Sequence, residues 1–363
     1  MILDVGESSC LEATVYPVNA TNPNISWTSG DGSIAEVDSN GCVTAKSAGT
    51  TYICAHATDG SSVYGCCEVT CNPEHSNDSS HIYHATLSED GDEYTFTCTF
   101  SQCDDSFTVP KDQVIGSYVT SNTDPRLGNS QTPLAYGIDL SSYQGEILQS
   151  QWNEIANTQI DGHTITFVIL RIGFEDDPIN GVINRVKDKW FDKNYERAKA
   201  AGVQVGCYYY TESWSKKNAI DDAKQVIEWI GDKQFEYPVF FDIESTGIQN
   251  NVPNKDDRTE ICTAFMNKMR EAGFFAGLYA NNDWIKNYLN SSTIFPEYDF
   301  WYARYYDNTP NDWQSDWAGT GRKFGMWQYT KSKKISPIAG NIDCDVAYKN
   351  YPLIIKALHL NNF

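Results

Sequence analysis

The stretch YPVFFDIES, residues 237–245, ends an apolar run by presenting two carboxylates, Asp242 and Glu244, one residue apart. Strand side chains alternate faces, so acids at i and i+2 point the same way, with Cα atoms about 6.5–7 Å apart. Two more stretches carry acids in the same manner: GIDLS supplies Asp139, and NIDCD supplies Asp343 and Asp345. Clustered carboxylates suit three roles. Glycoside hydrolysis needs a protonated acid at the leaving oxygen and a second group that stabilises an oxocarbenium-like transition state. Neighbouring acids raise each other's pKa, which keeps one of them protonated near neutral pH. A divalent ion such as Mg²⁺ or Ca²⁺ is held by the same groups. The third role is structural, with the acids satisfied by backbone amides and arginines. Spacing favours the first and leaves the other two open.

The elements that must position these acids begin at residue 134. Eight strands are predicted, at 135–141, 166–174, 203–211, 237–244, 274–281, 298–305, 323–330 and 341–348. Helical periodicity fills the early gaps. SKKNAIDDAKQVIEWIG places Ala219, Ile220, Ala223, Val226, Ile227 and Ile230 on one face and stops at Gly231. DRTEICTAFMNKMREAG does the same with Ile261, Phe265 and Met269 and stops at Gly273, and FDKNYERAKAAG stops at Gly202. The later gaps are irregular and predict loops. Mostly apolar strands with helical crossovers point to an α/β fold, a (β/α) barrel of eight strands with helices mainly in the first half. Active sites of such barrels sit at the C-terminal strand ends. Closure sets the eighth strand beside the first, so three strands deliver carboxylates to one rim.

Aromatic residues add to this picture. Nine of the ten tryptophans lie beyond residue 133, and Tyr208, Tyr209, Tyr210, Tyr279, Tyr302, Tyr305, Tyr306 and Tyr329 fall near strand ends. Tyr and Trp offer an apolar face to a sugar ring and a polar tip to its hydroxyls. Trp301 and Trp327 admit both packing and sugar contact.

Residues 134–350 resemble glycoside hydrolase family 25, the lysozymes that act as N-acetylmuramidases. The stretches that carry the resemblance are YGIDLSSYQG, FVILRIGF, FDKNYERAKAAGVQVGCYYYT, YPVFFDIES, GLYANNDW, FWYARY, MWQYT and GNIDCDVAY, in that order. The resemblance implies a peptidoglycan hydrolase cleaving the β-1,4 bond between N-acetylmuramic acid and N-acetylglucosamine, without metal or cofactor. It implies that Glu244 is the general acid and that Asp242 supports the substrate's own 2-acetamido group. Asp139 and Asp343 match the remaining rim acids. Tyr208, Tyr210, Tyr279, Trp301 and Gln328 would line the sugar cleft, and Arg171 would either join them or pair with an acid. Two departures stand out: Tyr209 occupies a place where many relatives have histidine, and the stretch from Arg171 to Asn194 is slightly extended.

The front of the chain differs in kind. Short alternating segments separated by SGDG, SNG and DGSS predict a small all-β sandwich over residues 1–72. ISWTSGDGSIAEVDSNGCVTAKSAGTTYICAHATDG resembles the bacterial immunoglobulin-like group 2 domain, apart from its cysteines. Residues 73–133 read as an acidic linker with a hairpin, and 134–363 as the barrel. Residues 1–133 hold 18 acids and 3 bases, against 30 and 24 in the remainder. Such a front argues against nucleic-acid binding and against docking on anionic membranes. Eight of eleven cysteines lie at or before Cys103. This density predicts disulfides and an oxidising, extracellular setting, with Cys98 paired to Cys103 across the hairpin. Zinc is the competing reading, but CCEVTC and CTFSQC are not paired C-x-x-C sets, and no histidines are interleaved with them. Cys207, Cys262 and Cys344 are expected to be buried free thiols.

No apolar window is long enough to span a membrane, and MILDVGESSC lacks the basic and apolar regions of a signal peptide. GTGRK at 319–323 has no P-loop spacing and reads as a loop; G-x-S-x-G and H-E-x-x-H are absent. The expectation is a secreted, cell-wall-associated monomer acting on peptidoglycan glycan strands. One rival is a chitinase-like or endo-β-N-acetylglucosaminidase barrel of the D-x-D-x-E type, although position 240 is Phe. The rival from another class is a non-catalytic cell-wall binding protein.

Overall fold

The computed structural model describes residues 1–17, 19–72, 81–100, 103–117, 124–128, 132–179, 182–294, 296–305 and 324–363, without the side chains of 177–182. Tyr306, His75 and the GTGRK loop lie outside these residues. The chain forms two compact units, one of Met1–Ile82 with Cys98–Asp105, the other of Tyr83–Thr97 with Ser106–Phe363.

The larger unit holds the barrel. Its strands are β1 (Ala135–Leu140), β2 (His163–Ile179), β3 (Gln204–Tyr210), β4 (Val239–Asp242), β5 (Ala276–Asn281), β6 (Asp299–Ala303), β7 (Met326–Lys333) and β8 (Ile342–Ala347). Each of β1 to β6 pairs in parallel with the next strand. β8 runs antiparallel to both β7 and β1 and closes the ring. This reversal matters for the site. The rim reached by the C-terminal ends of β1 to β7 is reached by the N-terminal end of β8. Asp343, near the start of its strand, therefore stands beside Asp139 near the end of β1. In a fully parallel barrel it would lie at the opposite mouth.

Helices cover the first half, as the periodicity requires. α1 (Gln149–Ile155), α2 (Phe191–Ala200), α3 (Lys216–Ile230) and α4 (Lys255–Glu271) follow β1 to β4 in turn. Ser215 caps α3 by accepting from the Asn218 N–H, and Gly231 ends it at φ +59°. Ala219, Ala223, Val226 and Ile230 are buried, whereas Ile220 and Ile227 are only partly covered. Burying each large aliphatic side chain of this kind contributes about 1.5–3 kcal/mol. Between β5 and β6 the chain forms a π-helical turn, Trp284–Tyr288, and a short helix, Ser291–Ile294.

The barrel floor is filled by aromatics, and this explains two strand glycines. A Cβ at Gly137 would lie 2.5 Å from the Phe167 ring, and one at Gly277 would lie 2.7 Å from Phe240. The extended stretch after Arg171 also has an explanation. β2 outruns the barrel and folds back as a hairpin with Val182–Lys187, with Gly173 opposite Lys187 and Ile179 opposite Val182.

Ahead of the barrel, Tyr83–Leu87, Glu93–Cys98 and Ser106–Pro110 form a three-stranded sheet, followed by a helix at Lys111–Ile115. The segment read as a linker thus contains regular structure and divides between the two units.

The smaller unit holds two sheets. One has the order Ile2–Asp4, Tyr64–Asn72, Gly49–Ala57, Ile25–Ser29; the other has Ser8–Cys10, Cys42–Ala45, Ala35–Val37. Leu3, Ala35, Val43, Ala45, Ile53, Val69 and Cys71 form its core. Two disulfides, Cys10–Cys42 and Cys54–Cys66, each join residues directly opposite on paired strands. The pairing expected for Cys98 and Cys103 is corrected: both are free thiols. The hairpin register is the reason. Cys98 N–H bonds the Asp105 carbonyl, so Asp105 and not Cys103 faces Cys98. Cys207, Cys262 and Cys344 are free and buried, as expected.

Candidate active site

Alternation along the strands sorts their side chains. Ile138 and Leu140, on either side of Asp139, join the core beneath the helices, while Asp139 turns to the barrel interior with its neighbour in register, Asp343. On β3, Tyr209 is fully buried and stacks on Phe265 of α4 at 6.2 Å between ring centroids. The departure from histidine at this position therefore falls in the helix layer and not at the rim. Tyr208 and Tyr210 face the other way.

β4 ends at Asp242, and Glu244 follows in the loop. The two acids differ sharply. Asp242 is buried, and its Oδ1 has no hydrogen-bond partner among the described residues. Glu244 is open to solvent, yet enough protein surrounds it to desolvate its carboxylate. Burial first, then the Glu244 and Asp139 charges, hold the Asp242 carboxyl well above the usual carboxylate range. Burial and the Asp343 charge raise Glu244, and Lys331 works against them. Burial raises Asp343 to about 6, again opposed by Lys331.

Asp139 is raised by burial and by Asp343, and is held by Gln328, whose Nε2 donates to Oδ2 at 2.6 Å. Gln328 is fixed from its other end. Its Oε1 accepts from Tyr279 Oη at 2.9 Å and from Tyr305 Oη at 2.8 Å. Trp301 Nε1 donates to Asp345 Oδ1 at 2.7 Å. Asp345 is buried, and burial and the Asp139 charge raise it strongly. Its other oxygen, Oδ2, has no hydrogen-bond partner among the described residues.

The structure thus brings Asp139, Asp242, Glu244 and Asp343 within electrostatic reach of one another, with Tyr208, Tyr279, Trp301 and Gln328 among them. Trp301 is buried against Tyr279, Phe240 and Tyr208. It packs and orients Asp345 and leaves no free face. Trp327 is also buried, its Nε1 on the Arg304 carbonyl. Tyr210 Oη donates to Glu212 Oε1 at 2.9 Å. Arg171 is committed to an acid, with Nε 3.0 Å from Asp188 Oδ2 and a further bond to Ser142 Oγ at 2.7 Å. Its charge still opposes the upward shift of Asp242.

Sequence reasoning missed several participants. Glu212 is buried and accepts from Ser245 Oγ as well as from Tyr210, bracing the loop that carries Glu244. Lys331 lies just past MWQYT, with Nζ 5.0 Å from the Tyr305 ring centroid. Tyr143 and Trp214, in the loops after β1 and β3, are exposed aromatics. Position in a strand-end loop was the available signal for both. Tyr305, already marked among the strand-end tyrosines, is exposed as well.

The sequence model for glycosyl hydrolases family 25 matches residues 138–338, more than half of the chain. The chain belongs to this family. The family 25 barrel is therefore a glycoside hydrolase domain, and its matched span carries Asp139, Asp242 and Glu244, with Asp343 just beyond it. Residues 1–66 match the bacterial Ig-like domain (group 2). Uncharacterized protein YegX of Escherichia coli K12 is 21% identical over 211 residues, 58% of this chain and 68% of YegX. Uncharacterized protein CA_P0160 of Clostridium acetobutylicum is 41% identical over 66 residues, 18% of this chain and 7% of that protein. Among solved structures, the bacterial lysozyme from Streptomyces coelicolor superposes with a TM-score of 0.49 at 18% identity, covering 63% of this chain and 97% of its own.

Proposed function

We propose that the family 25 barrel is a lysozyme, a β-1,4-N-acetylmuramidase that cleaves peptidoglycan between N-acetylmuramic acid and N-acetylglucosamine. The observation that carries this reading is the asymmetry of the β4 acids. Glu244 is solvent-open with a raised pKa, and Asp242 is buried beside it with an unpartnered oxygen. An accessible acid that keeps its proton toward neutral pH can protonate a glycosidic oxygen. A buried acid next to it can hold the nitrogen of a 2-acetamido group, whose carbonyl oxygen then attacks the anomeric carbon as the leaving oxygen takes the Glu244 proton. Asp139 and Asp343 supply negative potential under the developing positive charge.

Tyr208, Tyr210, Tyr279 and Gln328 order the cleft, while the exposed rings of Tyr143, Trp214 and Tyr305 are the surfaces on which sugar rings would stack. Trp301 and Arg171 act as positioning residues. The protein would work outside the cell as a monomer on wall glycan strands. Within it, residues 134–363 would carry the chemistry and residues 1–72 would serve as a spacer or wall-binding module.

Purified peptidoglycan digested with the native protein and with Glu244→Gln, then reduced with borohydride and analysed by mass spectrometry, tests the reading. Muramitol ends from the native protein alone support it. Glucosaminitol ends would move the assignment to a glucosaminidase, and no new ends on several walls would leave a binding protein.

A further inference from the structure

We propose that His81, Cys98, Cys103 and Asp105 form a tetrahedral site for a divalent ion of the zinc class. All four residues belong to the smaller unit, whereas the rim acids belong to the larger. His81 Nδ1 lies 3.4 Å from Cys98 Sγ, 3.6 Å from Cys103 Sγ and 3.6 Å from Asp105 Oδ2. The histidine and the two sulfurs all lie within 4.8 Å of one another, the sole such group of three among the described residues. Zinc bonds of about 2.3 Å to sulfur and about 2.0–2.1 Å to nitrogen or oxygen, set tetrahedrally, place ligand atoms about 3.4–3.8 Å apart. The observed separations from the histidine match those edges.

The backbone builds this arrangement. Thr99 N–H bonds the Ile82 carbonyl, which sets His81 beside Cys98. Cys98 N–H bonds the Asp105 carbonyl, and Cys103 N–H bonds the Phe100 carbonyl, which turns the second sulfur back toward the first. Cys98 is buried while His81 and Cys103 are partly open, so an ion has a path in. The contrast with the two disulfides supports the assignment, because those join directly opposed residues and Cys98 and Cys103 are not opposed. Binding releases the two thiol protons to solvent and keeps the imidazole neutral. The ion would tie the turn between Cys98 and Asp105 to the segment at His81 and would have no part in hydrolysis.

The test uses the full chain from zinc-supplemented culture, purified without chelator. Metal analysis should find about one equivalent of zinc, lost in Cys103→Ser and His81→Ala and retained in Cys71→Ser, which serves as the control. Anaerobic titration of the metal-free wild type with cobalt(II) should give thiolate charge-transfer bands and intense visible bands of tetrahedral cobalt. This second readout needs no variant to fold. A Cys98–Cys103 disulfide in unreduced peptide maps of the zinc-grown protein would overturn the proposal. So would zinc that survives both variants, or cobalt spectra without charge transfer.

Discussion

Aspartates in the two units of this protein carry the same carboxyl group under opposite electrostatic conditions. In the smaller unit Asp31, Asp38 and Asp59 are exposed turn residues. Asp31 and Asp59 accept from the Ser33 and Ser61 hydroxyls and N–H groups, and Asp38 accepts from the Cys42 and Asn40 N–H groups, which holds all three below the ordinary value. At the barrel rim, Asp139, Asp242, Asp343 and Asp345 are taken out of water and crowded together, and all are raised. The turn acids prefer the charged form and stabilise loops. The rim acids are pushed toward the neutral form, at a cost to the fold, and are thereby available for proton transfer. Residue type is shared; desolvation and neighbours separate the roles.

The comparison breaks most visibly at Glu244. Glu244→Gln should lower turnover by about 10²–10⁴-fold while leaving the melting temperature nearly unchanged, measured by release of reducing ends and by thermal denaturation. A small loss of activity would remove the distinction between rim and turn acids.

The alkaline limb of the pH–rate profile sharpens it further. Lys331 holds Glu244 and Asp343 down, so Lys331→Gln should move that limb to higher pH. Asp343→Asn removes a charge that raises Glu244 and should move the limb to lower pH. Shifts in the same direction for both variants would contradict this electrostatic account.

Stability gives a third check. Asp343 titrates near 6 in the folded chain and near 4 when unfolded. A raised carboxyl favours the folded state least once ionised, so stability is lost as pH rises from about 4 through about 6. Asp343→Asn should therefore match the native protein at pH 4 and exceed it by about 1 kcal/mol at pH 7, after allowance for its partial exposure. Denaturant unfolding at both pH values measures this. The smallest effect belongs to the turn acids: Asp59→Asn should leave activity unchanged and shift melting by no more than about 2 °C.

Much of this was legible beforehand because barrel strands are apolar on both faces and their crossover helices carry a 3.6-residue period. Ala219, Ala223, Val226 and Ile230 marked α3, and strand-end acids marked the rim. Tyr279 was marked by its place at a strand end and Gln328 by resemblance, and their shared hydrogen bond could not be read from residues 49 positions apart. Trp301 shows the limit of composition, since a tryptophan expected to line a sugar cleft is a buried hydrogen-bond donor to Asp345. His81 shows the limit of spacing. Metal motifs are sought as short C-x-x-C sets, and this histidine precedes Cys98 by 17 residues.

By itself the sequence determined the alternation of strands and helices, the sandwich ahead of them, and the strand-end placement of Asp139, Asp242 and Glu244, because periodicity and strand-end chemistry are local properties. Only the tertiary structure decided that β8 runs antiparallel, which carries Asp343 to Asp139. Only it decided that Asp242 is buried while Glu244 stays open, and that Cys98 faces Asp105 instead of Cys103. Strand direction, burial and register depend on which segments meet across the chain, and that is set by packing over long sequence separations.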